Sequence, residues 1–129
     1  MSNKTYFISG HLYLTQEEFY EHYVPQIDKA IMDNDNVSFV VADAKGADCM
    51  AQDYLWLQYK LGEINSRFVT VFHMFTDPRN HYGTFPLKGG FKSDKERDEA
   101  MTNASDEDIA WVRPGREKSG TAKNLKRRQ

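Results

Sequence analysis

The sequence predicts a single α/β domain with a mainly parallel sheet of about four to five strands flanked by helices. Short β-branched and aromatic runs alternate with segments of helical periodicity, in the order β-α-β-α-β-loop-α-β-α. Such alternation is typical of a parallel sheet covered by helices. The 129 residues suit one domain that buries roughly two-thirds of the surface its unfolded chain exposes. We therefore expect residues 1–129 to form one Rossmann-like domain.

The composition favours an ordinary globular protein and excludes several classes. The chain is 40% hydrophobic and 28% charged, and 17 Lys and Arg against 19 Asp and Glu give a net charge of −2. These values lie far from those of disordered chains. The single cysteine, Cys49, excludes an internal disulfide framework and fits a reducing compartment. No apolar run approaches the roughly 20 residues of a membrane span, so we expect a cytoplasmic protein without a membrane partner.

The first half of the chain predicts two strands and two helices. Residues 6–8 form a short apolar run that ends in a turn. Thr15 and Glu18 have capping-box spacing and open a first helix, which Pro25 should bend or restart. The second strand is expected at 37–42, and the following helix should end at Gly62, a residue that favours the left-handed conformation.

The second half predicts two further strands and two further helices. The elements expected here are an inner strand at 68–75, a long insertion loop at 76–92, a helix opened by a capping box at 93–96, a strand at 108–112 and a helix from about Ser119 to 128. Loops of this length are usually functional or disordered. Because 76–92 carries hydrogen-bonding and aromatic side chains, we expect it to close over a ligand or reach a neighbouring subunit.

Three glycine-bearing loops follow predicted strands, at 9–11, 43–48 and 115–121. Ligands of open parallel sheets lie outside the carboxyl ends of the strands, where these loops would meet. Glycine allows a ligand to approach the backbone, and the amides of a helix N-terminus favour an anion. The pattern therefore predicts a shared site for a phosphorylated ligand.

Several short motifs resemble, in order, the YspA-like branch of the SLOG superfamily, relatives of the Smf/DprA and Lonely Guy proteins. Residues 45–51 (KGADCMA) resemble the branch's RGAD-x-x-A motif, 96–101 its RN-x-x-M helix, 106–112 its D-lviaf strand, and 119–121 its GT phosphate loop. The resemblance implies a Rossmann-like fold that binds a nucleotide or nucleotide-derived ligand, such as an ADP-ribose-like signal.

The loops and the resemblance together indicate a set of ligand-binding residues. The set is Ser9, Gly10, His11, Lys45, Gly46, Ala47, Asp48, Arg97, Pro114, Gly115, Ser119, Gly120, Thr121 and Asn124. The sequence departs from the family pattern at Lys45, where Arg is frequent, and at Asp98, where Asn is frequent. In the Lonely Guy enzymes and deoxyribosyltransferases a catalytic Glu lies three residues beyond the Gly-Thr pair, whereas this chain has Asn124. An amide cannot act as nucleophile or general base.

Three functions remain open from the sequence. The first is a sensor or sequestering module for a nucleotide-derived small molecule, and the second is a nucleoside or nucleotide N-glycosidase or deoxyribosyltransferase-like enzyme, with Glu117 or Glu96 as candidate carboxylates. The third is nucleic-acid binding through the basic tail at 123–128, which the net negative charge disfavours. No catalytic residue is assigned and no cofactor is expected. The four histidines lack partners at ligand spacing, so no metal is expected.

A homo-oligomer is also expected, because relatives in the SLOG superfamily commonly pair through helices that flank the sheet. The predicted helices carry many aromatic residues, and exposed apolar helix surface tends to be covered. The aromatic residues on which this expectation rests are Tyr20, Tyr23, Tyr54, Trp56 and Tyr59.

Overall fold

The protein is described by a computed structural model that covers residues 3–129. Five parallel strands form one sheet in the order β4-β3-β2-β1-β5. The strands are β1 (Thr5–Ile8), β2 (Ser38–Ala42), β3 (Val69–Met74), β4 (Leu87–Phe91) and β5 (Glu107–Ile109). The helices are α1 (Gln16–His22), α2 (Val24–Asp33), α3 (Ala47–Lys60), α4 (Asp94–Asn103) and α5 (Gly120–Arg128). The predicted α/β class is confirmed.

The two faces of the sheet bury separate apolar clusters. Alternate side chains of a strand point to opposite faces, so Tyr6 and Ile8 join the larger cluster with α1, α2 and α3. Phe7 points the other way and joins a smaller cluster with Met101 of α4 and Phe72 of β3. Helices therefore cover both faces and leave the carboxyl ends of the strands accessible. Within residues 3–129, no helix is long and apolar enough to cross a membrane.

The helix boundaries follow the local signals of the sequence. Thr15 and Glu18 form the complete predicted capping box, and Pro25 lies in the first turn of α2, where its missing N–H costs no hydrogen bond. The helix α3 ends as predicted, with Gly62 at a φ of +80°. At α4 only half of the predicted capping box forms, because Ser93 accepts from the amide of Glu96 without a reciprocal bond.

Two predicted strands are shorter than expected. The strand β3 begins after a 3-10 turn at Ser66–Phe68 and ends before Phe75, whose φ of +55° is left-handed. The strand β5 stops at Ile109 instead of 112. Beyond it, the amide of Trp111 donates to the Tyr23 hydroxyl over 3.2 Å, and the amide of Arg113 donates to His11 Nε2 over 2.9 Å. Side chains have replaced the neighbouring strand as hydrogen-bond partners.

The prediction that 76–92 is a loop without structure of its own is wrong. Its second part forms the edge strand β4, and Phe85 is fully buried in the larger cluster. Its first part is anchored to Asp43, which accepts from the amide and Nη2 of Arg79 over 2.7 and 2.8 Å. Gln52 adds bonds to the carbonyl of Asn80 and to the amide of Tyr82. The segment is packed into the structure, so removing it would expose core surface and leave Asp43 short of partners.

Candidate functional site

A cavity of about 280 Å³ lies at the carboxyl ends of the strands. The strand β1 lies between β2 and β5, so its loop occupies the point where the strand order reverses, the usual place of a ligand in open parallel sheets. Nine of the predicted residues line this cavity: Ser9, Gly10, His11, Asp48, Arg97, Ser119, Gly120, Thr121 and Asn124. The three glycine loops therefore do meet.

Five predicted residues do not line the cavity, and local packing explains three of them. Lys45 points outward, with its Nζ 3.0 Å from the Tyr13 hydroxyl. Gly46 has a φ of +79°, and a Cβ at this position would lie 2.3 Å from the Leu12 carbonyl oxygen. Glycine is therefore needed here for the backbone conformation and the close packing of the chain. The amide of Ala47 donates a hydrogen bond to the carbonyl of His11 over 3.1 Å, so it is not free to bind a ligand.

The other two predicted residues that do not line the cavity are Pro114 and Gly115. Both are exposed and lie outside the cavity lining. The amide of Gly115 donates to Glu117 Oε2 over 2.8 Å, which folds this turn onto itself. The neighbouring Arg116 lines the cavity instead.

One wall of the cavity consists of hydrogen-bond donors. Ser119 caps α5, and Gly120 and Thr121 are in its first turn, where backbone amides lack partners within the helix. Ser9, only 6% exposed, lines the same cavity, and its Oγ has no hydrogen-bond partner among the described residues. A buried hydroxyl without a partner is costly, so this wall is suited to a ligand oxygen.

Arg97 is the charged centre of the cavity and is 6% exposed. Its Nε and Nη2 both donate to Asp98 Oδ1 over 3.1 Å. Its Nη1 lies 3.1 Å from Asp94 and 3.7 Å from Asp43, but it makes no aligned hydrogen bond. One end of this guanidinium is thus saturated, while the other keeps donor capacity.

Asp48 is a buried carboxyl in the first turn of α3. Burial raises the pKa of Asp48 to about 7; the charge of Arg97 opposes this shift, and the nearby Asp98 and Asp43 add to it. Its Oδ2 accepts from the amide of Ala44 over 3.1 Å. A carboxyl that titrates near neutrality inside a cavity is suited to exchange a proton or to bind hydroxyl groups.

Asp98 is a second carboxyl of the cavity, opposite Asn124. Burial raises the pKa of Asp98, while Arg97 and a hydrogen bond from Asn124 act in the other direction. Asn124 also accepts from Arg127 over 2.6 Å. Neither Glu117 nor Glu96 lines the cavity, so the carboxylates available there are aspartates.

His11 presents a fixed tautomer to the cavity. Burial lowers the pKa of His11, and the charges of Arg113 and Arg116 lower it further, so the ring is neutral near pH 7. Its Nε2 accepts from the amide of Arg113. The proton therefore lies on Nδ1, which makes this ring a hydrogen-bond donor. His11 is thus a buried residue of the cavity lining, where it was predicted as a ligand-binding residue.

The selection of site residues from sequence missed four charged residues that line the cavity, namely Arg79, Asp94, Asp98 and Arg116. Asp94 lies three residues before Arg97 on α4, and charged residues at this spacing can pair. That spacing was the available signal. Arg79 belongs to the segment 76–92, which was expected to close over a ligand, but its position is fixed by Asp43 from another part of the chain.

Comparisons with known proteins add no family to this geometry. No family model matches the chain, and neither the curated proteins nor the solved structures contain a significant match. Among residues 3–129, no group of three or more His, Cys, Asp or Glu side chains could hold a metal ion.

Proposed function

We propose that the protein binds a phosphorylated, nucleotide-derived small molecule in this cavity and acts as a sensor or sequestering module. The observation that carries the proposal is the convergence of unused donors. The Ser9 hydroxyl and Arg97 Nη1 are buried without aligned partners, and both residues line the same cavity as the first turn of α5. Helix N-termini and guanidinium groups are the usual ligands of phosphate.

The carboxyl groups that line the cavity indicate what the phosphate is attached to. Asp48 and Asp98 place carboxyl oxygens in the cavity, and carboxyl oxygens accept hydrogen bonds from sugar hydroxyls. The volume of about 280 Å³ lies just below the range of about 300–1,000 Å³ that is usual for ligand cavities. It suits a sugar phosphate or mononucleotide, and an ADP-ribose-like molecule would extend out of the cavity.

The direct test replaces Gly120 by valine. A Cβ at Gly120 meets no heavy atom within 4 Å, so the ligand-free fold should tolerate the change. The added side chain would cover the first-turn amides, and binding should weaken by at least about tenfold, or about 1.4 kcal/mol. Thermal-shift titration with nucleoside monophosphates and pentose phosphates measures this. Gln16→Val, at the first position of α1 and outside the cavity, is the matched control.

Two results would contradict the proposal. One is full ligand-induced stabilisation in Gly120→Val, which would place the site elsewhere. The other is the absence of any stabilisation of the wild-type protein across the whole panel of phosphorylated molecules.

A second candidate function is hydrolysis or transfer at an N-glycosidic bond. It is favoured by the two aspartates, because a carboxyl with a pKa raised to about 7 can serve as a general acid or base. Incubation with nucleosides and nucleotides, followed by chromatography, would reveal a released base. If this reaction occurs, Asp48→Asn, which removes the carboxyl with this raised pKa, should lower its rate by about 10²-fold or more. Unchanged nucleotides after prolonged incubation would support the binding module instead.

The remaining partner predictions stay predictions. Nucleic-acid binding has little support, because two tail cations are engaged: Arg127 binds Asn124 and Arg128 binds Asp108.

The homo-oligomer was predicted from aromatic residues on the helices. Of these, Tyr23 is fully buried and cannot contribute to a contact between copies, whereas Tyr20 is exposed on α1. Among the exposed apolar side chains of the flanking helices, Tyr20 lies on α1, Met32 on α2, and Leu57 and Tyr59 on α3.

A further inference from the structure

Leu12 is the apolar side chain that remains exposed among the described residues that line the cavity. It lies in the turn after β1 and is 51% exposed. The other exposed side chains of the lining are charged, namely Arg79, Asp94 and Arg116. A leucine side chain cannot form hydrogen bonds with a phosphate or a sugar hydroxyl. Its place in the lining therefore concerns another part of the ligand.

The turn that carries Leu12 is anchored on both sides. The carbonyl of His11 accepts from the amide of Ala47 over 3.1 Å, and the carbonyl of Tyr13 accepts from Arg113 Nη2 over 2.9 Å. The backbone of Leu12 is thus fixed before a ligand arrives, and a preorganised contact loses little conformational entropy on binding.

The order of groups in the cavity places the base of a nucleotide near this turn. The proposed phosphate ligands Ser9 and Arg97 are buried, and the carboxyl groups of Asp48 and Asp98 are suited to the sugar hydroxyls. Since the phosphate and the sugar fill these positions, a group attached to the far side of the sugar must extend towards the exposed part of the lining. Leu12 lies in that part.

Arg116 belongs to a loop that is joined to the Leu12 turn. The amide of Arg116 donates to the carbonyl of Arg113 over 2.9 Å, and the amide of Arg113 donates to His11 Nε2 over 2.9 Å. Apolar side chains and guanidinium planes both stack on nucleobases. The exposed part of the lining therefore offers two side chains of the kinds that contact a base.

We propose that Leu12 is a specificity-determining residue that contacts the base of a nucleoside monophosphate, so that the protein binds nucleotides in preference to pentose phosphates. The inference rests on the proposed function and narrows its ligand class. A base placed against Leu12 removes apolar surface from water, which favours binding. A pentose phosphate has no such group and gains nothing from the leucine.

The test compares three probes: adenosine monophosphate, uridine monophosphate and ribose 5-phosphate. Binding is followed through the amide resonances of Gly120 and Thr121 in a nitrogen-proton correlation spectrum. The wild-type protein should bind at least one of the two nucleotides about tenfold or more tightly than ribose 5-phosphate. In Leu12→Ala this preference should fall below about threefold, while the affinity for ribose 5-phosphate stays at the wild-type value.

Tyr13→Ala is the matched control. Tyr13 is the next residue of the same turn and is 72% exposed, but it does not line the cavity. Its substitution removes an exposed apolar side chain of the same turn, so the preference for nucleotides should remain at the wild-type value.

The outcomes separate this inference from the proposed function. The role of Leu12 is refuted, while the phosphate site stands, if the wild type binds ribose 5-phosphate as tightly as both nucleotides. It is equally refuted if Leu12→Ala keeps the full preference, including the case in which all three probes weaken by the same factor. If no probe shifts the two amide resonances in any variant, the phosphate site itself is refuted.

Discussion

Replacing Arg97 by methionine is expected to lower the free energy of unfolding by about 3–5 kcal/mol at neutral pH, because removal of one partner leaves buried carboxylates uncompensated. Arg97 lies within ion-pair distance of Asp43, Asp94 and Asp98, and two of these side chains are mostly buried. Methionine retains an apolar stem of similar length. The loss therefore reports on charge more than on packing, and urea denaturation at pH 7 measures it.

The effect of this substitution should depend on pH. Without the guanidinium, the pKa values of Asp48 and Asp98, which burial already raises, should rise further. A carboxyl group whose pKa is higher in the folded than in the unfolded state lowers the stability once the pH exceeds its unfolded pKa. Below that pH the group is protonated in both states and has no such effect. The difference between Arg97→Met and wild type should thus shrink as the pH falls towards 4.

Arg116→Met is the control for this prediction. Arg116 lines the cavity but is exposed, so its loss should weaken phosphate binding and leave the stability nearly unchanged. Equal stability of Arg97→Met and wild type at pH 7 would contradict the central role of Arg97.

Replacing Asp48 by asparagine is expected to stabilise the protein at pH 8 by up to about 4 kcal/mol, at about 1.4 kcal/mol for each unit of pKa shift. The pKa of this carboxyl is raised from 3.8 to about 7 in the fold, chiefly by burial. Between these values the folded chain retains a proton that the unfolded chain has released, so stability falls as pH rises through this window. Above about pH 7 the penalty is complete.

Asparagine removes the charge and keeps an acceptor for the amide of Ala44. The stability of Asp48→Asn should therefore equal that of wild type near pH 4 and exceed it increasingly up to pH 8. Denaturation curves at several pH values measure the difference. Asp53→Asn, an exposed position on the same helix, should leave the pH dependence unchanged. A variant that is less stable than wild type at pH 8 would contradict the burial of an ionisable Asp48.

The stability gain would come with a functional loss. Asp48 lines the cavity, and asparagine offers a ligand hydroxyl one acceptor oxygen where the carboxylate offers two. We expect Asp48→Asn to be the more stable and the weaker binder, a common relation at sites that keep a buried charge for function.

The order of elements and most helix ends could be predicted from sequence because their causes are local. The capping box at Thr15, the restart at Pro25 and the end at Gly62 each depend on residues within one or two helical turns. The placement of the glycine loops at one edge followed from parallel topology alone. Nine of the fourteen residues that were predicted with these local and topological rules line the cavity.

What the sequence could not determine depends on partners far apart in the chain. The segment 76–92 was predicted as a loop because β4 (Leu87–Phe91) contains adjacent glycines and lacks an apolar pattern. It becomes a strand because β3 provides hydrogen-bond partners for it. In the same way β5 ends early because Tyr23 and His11 bind the following amides.

The electrostatics of the site also arise only in the folded structure. The sequence predicted that a helix with glycine and hydroxyl residues at its start follows β5, and the tertiary structure decided which charges lie near it. Asp43 and Asp48 lie in one segment between β2 and α3, whereas Arg97 lies in α4, far from them along the chain. Their shared burial raises the pKa of Asp48 and leaves Arg97 Nη1 without an aligned bond. Burial and charge pairing depend on distances across the fold, which local patterns do not contain.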